Sequence, residues 1–184
     1  MAMSLSSKEA AETLSDVEHA SRRSALAFGY RKASPHLILW GLVWLIGYSA
    51  TDLRPAHAGL IWLVLVVTGC AIGFLLGRGG SGAPAKDSWR VLGIAAILCL
   101  FVGATFTILW PVSGSQTGAF IPLLFGTIYA GVGLWLGTRF LITGVAIVVL
   151  TLGGYFYLHE HFLLWQAFVG GGGLILAGIW FRTV

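Results

Sequence analysis

Charge is what this chain has least of. Residues 91–138 contain no Asp, Glu, Lys or Arg, and charged side chains make up 10 % of the whole, against roughly 25 % in soluble domains. An uncharged run of that length excludes a water-soluble fold. It is too long for one membrane helix of roughly 20 residues and right for two joined by a turn, which is written as Trp110-Pro111-Val112-Ser113-Gly114-Ser115-Gln116-Thr117-Gly118. No acidic or basic residue falls inside any predicted span. That argues against a proton- or sodium-coupled pump, whose relay needs an embedded carboxylate or cation.

Other absences narrow the function further. The first 36 residues carry four acidic and five basic side chains and no uninterrupted apolar stretch, so a cleavable signal peptide is not expected and the first span serves as its own insertion signal. The glycines of Gly79-Gly80-Ser81-Gly82-Ala83-Pro84 lack the Lys-Ser/Thr ending of a phosphate-binding loop. The five histidines (His19, His36, His57, His159, His161) lie in the tail or at span ends, with no Ser/His/Asp or Cys/His arrangement, so enzyme activity is not expected. Cys70 and Cys99, the only cysteines, fall inside apolar helices and read as small buried hydrophobes. The net charge of +4 comes from basic residues at helix ends, where membrane topology puts them, and does not call for nucleic acid.

What is present is hydrophobic (57 %) and organised in six apolar segments: His36 to Thr51, Ala56 to Gly77, Val91 to Trp110, Gly118 to Leu136, Phe140 to Leu158 and Phe162 to Phe181. The expected fold is all-α: a polytopic membrane protein with six transmembrane helices over residues 34–184. Ser34-Pro35 reads as the cap and first turn of the first span. Segments four and five, separated by Gly137-Thr138-Arg139, must form an antiparallel hairpin. Trp40-Gly41, Leu92-Gly93 and Thr143-Gly144 open the odd segments at intervals of roughly 50 residues, a pattern that reads as three tandem hairpins.

With the N-terminus in the cytoplasm, ten of the eleven Lys and Arg residues lie inside and only Arg54 outside, so both termini are expected to be cytoplasmic. Residues 1–33 are expected to form a cytoplasmic amphipathic segment. Ser6 and Glu9 make a capping box, and Leu14, Val17, Ala25 and Phe28 lie on a thin stripe that would rest on the inner surface, meet a cytoplasmic protein partner, or pair with its copy.

Small residues mark where helices meet in lipid. Gly69, Gly73 and Gly77 form a ridge on the second span. Gly133 and Gly137 continue one on the fourth, and the run Gly170 to Gly173 interrupts the sixth. The even-numbered spans are therefore expected at the packed centre, within one chain or in a homo-oligomer. At the glycine run, another backbone crosses closely or the helix is locally broken. The remaining chemistry is on the outer side: His57, His159, Glu160 and His161 supply two imidazoles around a carboxylate and a third nearby, a candidate metal or haem site against the alternative of a polar turn.

Ser21-Arg22-Arg23 followed by Leu39-Trp40-Gly41-Leu42-Val43-Trp44-Leu45-Ile46-Gly47-Tyr48 resembles the start of a widespread class of small bacterial membrane proteins. These have a charged N-terminal helix, a Trp-Gly-x-x-Trp-x-x-Gly first span and five or six spans in all. The resemblance implies a bacterial inner-membrane protein and brings no functional residue with it. The function expected is a non-enzymatic interaction or regulatory role with self-association. A channel or facilitator for a small or neutral solute is the alternative, and an outer-face metal or haem binder the third; the cofactor, if any, is left open.

Overall fold

Every element is helical in the computed structural model, which describes residues 7–78 and 88–183. The helices are α1 (Ser7–Leu53), α2 (Ala58–Arg78), α3 (Ser88–Ile108), α4 (Gly114–Leu136) and α5 (Thr138–Tyr157). A C-terminal rod follows, made of α6 (Phe162–Trp165), a π-helical stretch (Gln166–Gly171) and α7 (Gly172–Phe181). Short 3₁₀ turns, Pro55–His57 and His159–His161, precede α2 and α6. Five helices among the described residues are long and apolar enough to cross a membrane, and α3 adds a shorter apolar run, Ala96–Ile108. The chain is an all-α integral membrane protein by that measure. The capping box expected at Ser6 and the glycine-rich stretch after Arg78 lie outside the described residues.

The first expectation to be corrected is the start of the first span. Ser34-Pro35 does not begin a helix, because α1 runs unbroken from Ser7 to Leu53 with Pro35 inside it. A proline in a helix interior forfeits one backbone bond, here to Arg31, and strains the preceding turn. Ser34 does not cap the nitrogens of α1. Its hydroxyl donates to the Gly178 carbonyl of α7 at 2.7 Å, and it accepts from Arg182 Nε at 2.9 Å. The same polar side chain that reads as a local cap is used for a tertiary bond. Residues 13–25 are exposed, Leu26 is partly buried and packed on the core, and Tyr30 is buried, so the tail leaves the bundle as a continuation of its first span.

Helix α4 begins four residues earlier than the apolar pattern suggests. Ser113 Oγ accepts from the Gln116 N–H at 3.1 Å and the Gln116 side chain accepts from the Ser113 N–H at 2.9 Å, a reciprocal capping box. Its C-terminus meets α5 as the spacing requires. Gly137, at φ 112°, makes the reversal, and it is the one described residue with positive φ. From there the two helices run antiparallel with Gly133 against Leu141 and Gly126 and Ala130 against Gly144.

Of the even-numbered spans expected at the packed centre, the sixth is there, while the second lies at the periphery. The C-terminal rod is the most buried span, followed by α1 and α5, with Leu37, Trp44, Tyr48, Ala167, Leu174 and Phe181 closing the core among them. Helix α2 packs on α1 along Trp62, Leu65, Gly69 and Gly73 and leaves most of its remaining surface outward. Helix α3 touches the bundle mainly through Phe101 and Phe106 against Phe120 of α4. Cys70 and Cys99, expected inside, are exposed because they sit on these two peripheral helices.

Candidate functional site

The deepest polar chemistry lies where α1 crosses the C-terminal rod. A Cβ built on Gly41 would stand 2.7 Å from the Gly171 carbonyl oxygen, and one on Gly171 would stand 2.6 Å from the Leu45 nitrogen. The two backbones touch there, and only glycine permits it. On the rod side the α ladder gives way: the Gly172 N–H reaches back to the Ala167 carbonyl, five residues away, through the stretch Gln166–Gly171. Both alternatives raised by the glycine run are therefore realised in part. The crossing is close, and the helix widens to a π turn beside it, a device that recurs at functional positions in helices.

Gln166 opens the π stretch and is 1 % exposed, as is Thr151 of α5. Gln166 Nε2 donates to Thr151 Oγ1 at 3.3 Å, and Thr151 Oγ1 donates to Gln166 Oε1 at 3.4 Å. The amide folds back over its own helix, 2.6 Å from where a Gly170 Cβ would lie, and the Trp44 ring comes within 3.3 Å of the same point. An amide without partners is costly in an apolar interior, so the pair is bound to each other by exclusion of anything else. The other buried threonines bond to their own helices, Thr51 to Gly47 and Thr143 to Arg139. Thr151 is thus the exception that bridges two elements.

A second polar group ties the helix ends at the arginine-bearing face. The Arg139 backbone N–H donates to Tyr30 Oη at 3.3 Å, and its Nη1 donates to the Trp180 carbonyl and, at 3.1 Å, to Thr183 Oγ1. Its guanidinium lies 4.8 Å from the Trp180 ring centroid and 5.6 Å from that of Tyr30. Tyr30, Phe140 and Phe181 interlock behind it, with centroids 4.8 to 5.6 Å apart. At the opposite face Tyr48 Oη donates to the Gly118 carbonyl at 3.0 Å and its ring meets Trp62 edge-on at 4.9 Å. Trp44 and Tyr48, one helical turn apart on α1, therefore both pack inward, and no local pattern marks the Gly118 carbonyl as the tyrosine's partner.

The four residues expected at an outer metal or haem site are placed in two 3₁₀ turns. His57 ends the turn before α2; His159, Glu160 and His161 form the turn before α6; and all four are exposed. No three His, Cys, Asp or Glu side chains come close enough to share an ion among the described residues. His159, Glu160 and His161 thus share one tight 3₁₀ turn, apart from the turn that ends in His57.

The seven glycines expected to pack helices divide. Gly133 and Gly137 are the tightest, their Cβ positions running into the Leu141 backbone and Tyr30 Oη, and Gly170 is also closed in. Gly69 is tight against Val43 at 3.2 Å, and Gly73 has room for a methyl group, at 3.6 Å from Leu39. Gly77 and Gly173 face open space and pack against nothing in the bundle. Gly41 and Gly144, which the sequence marks only as openings of odd-numbered segments, do this work as well.

No family model matches the chain, and neither a curated protein nor a solved structure is significantly similar to it.

Proposed function

We propose that this is a non-enzymatic regulatory membrane protein that self-associates through its N-terminal tail, with six spans in a bacterial inner membrane and both termini in the cytoplasm. The observation that carries this reading is the continuity of α1. One helix connects an exposed water-side stripe, Leu14 at 66 % and Val17 at 61 % exposure, to the close Gly41–Gly171 backbone crossing in the bundle. Pairing of that stripe with its copy would bear directly on the Gly41 crossing, because no loop separates the two.

Light scattering of the full chain in mild detergent tests this. A mass of two or more subunits that falls to one on Leu14→Glu with Val17→Glu, at unchanged unfolding temperature, is the expected result. A monomeric wild type removes self-association and leaves the stripe to a cytoplasmic protein. An oligomer unaffected by the two glutamates moves the contact into the membrane.

The facilitator reading is supported by one observation, the buried Gln166–Thr151 pair beside the π turn. Swelling of proteoliposomes in a small neutral solute, lost in Gln166→Leu, would favour it over the first.

A further inference from the structure

Between α5 and α7 an open groove of about 310 Å³ is floored by Thr143, Ile147 and Ala177 and walled by Leu150, Leu176 and Trp180. Its lining is almost wholly apolar. The one hydroxyl in it, on Thr143, is spent on the Arg139 carbonyl of its own helix at 2.8 Å. Part of one wall is bare backbone: a Cβ on Gly173 would have no neighbour within 4 Å. At the Trp180 end stands Arg139, whose guanidinium lies over the indole at 4.8 Å. The bonds that orient it, to the Trp180 carbonyl and Thr183, both leave from Nη1, while Nε and Nη2 belong to the same planar fork that suits phosphate.

A groove without donors, closed at one end by a cation at the membrane face, matches one kind of molecule: an apolar chain with an anionic head. We propose that it seats an acyl chain of an anionic phospholipid, with the phosphate on Arg139. Basic residues at the mouth of an interhelical groove are the recurring means of holding such headgroups. Gly173 then has a role that intrachain packing does not give it, since its missing side chain is what keeps the groove open along its length.

Native mass spectrometry of the delipidated full chain in a neutral detergent tests the site, with phosphatidylglycerol and phosphatidylcholine of the same acyl chains as probes. Wild type is expected to retain one phosphatidylglycerol about fivefold better than phosphatidylcholine. Arg139→Gln should erase that preference and Arg139→Lys should keep part of it. Gly173→Leu, which meets no neighbour in the bundle, should reduce both lipids at an unchanged unfolding temperature and decides the matter if Arg139→Gln does not fold. Equal retention of the two lipids by wild type, or undiminished retention by Gly173→Leu, would overturn the proposal. So would a dimer that Gly173→Leu converts to monomer, which gives the groove to a second copy.

Discussion

Gly41 of α1 and Gly171 of the C-terminal rod meet backbone to backbone: a Cβ on either would lie within 2.8 Å of the other's carbonyl oxygen. Alanine at either position should therefore force the helices apart, at a cost on the order of 1–3 kcal/mol. Alanine at Gly77 or Gly172, which open on space, should be neutral or slightly favourable because it is the better helix former. Unfolding in a detergent titration compares the four; equal behaviour of the two classes would mean that the crossing is not a close one.

Gly137 carries the α4–α5 reversal at φ 112°, and a Cβ there would run into Tyr30 Oη. Gly137→Ala should destabilise on both counts. Tyr30→Phe removes the obstruction and the bond to the Arg139 N–H, so it should relieve only the steric part. Thermal unfolding of the two single variants and the double reads this as a non-additive cycle. Strict additivity would show that the tyrosine and the turn act separately.

Gln166 and Thr151 satisfy each other in an apolar surrounding. Gln166→Leu or Thr151→Val alone should cost about 1–3 kcal/mol, because each leaves a buried polar group without its partner. The double variant should be milder than the sum. Were both single variants as stable as wild type, water or lipid would have to reach the pair.

Two ends of the bundle are set apart in the structure, one with Arg139, Thr183 and Tyr30 and the other with Ser115 and the His159–His161 turn. Single cysteines at Thr183 and Ser115, in a chain with Cys70 and Cys99 replaced, should label from opposite sides of intact cells, Thr183 from the cytoplasm. The opposite pattern would reverse the orientation drawn from the arginines and lysines.

His159→Ala with His161→Ala should leave unfolding unchanged, since both side chains are exposed on their turn. Elemental analysis showing a stoichiometric metal in wild type, lost in this variant, would restore the outer site that the turn geometry does not assemble.

Span positions were legible because hydrocarbon imposes a uniform demand, apolar residues over a fixed length, that composition records directly. The α4–α5 hairpin was legible too, since three residues between spans leave no other arrangement. Ser34 shows where such reading stops. A serine before a proline satisfies the local rule for a cap, yet its hydroxyl bonds to Gly178 near the other end of the chain. The pairing of Gln166 with Thr151 is likewise a contact between helices, and a sequence that favours it looks no different from one in which each bonds to its own backbone. The glycine ridges were legible in part, since Gly77 and Gly173 share the pattern but meet no neighbour. Gly69 and Gly133 obey one pattern, but only the neighbour each meets decides which is at a tight interface.

The Ser34–Gly178 and Arg182–Ser34 bonds join the earliest described helix to the latest. Translation runs from the N-terminus, so α1 enters the bilayer well before α7 exists. Until then its Gly41 face, Trp44 and the Ser34 hydroxyl have only lipid or passing helices as company. Completion of the fold is thus tied to completion of synthesis, and a ribosome that stalls before α7 leaves a recognisably unfinished helix in the membrane for quality control to find.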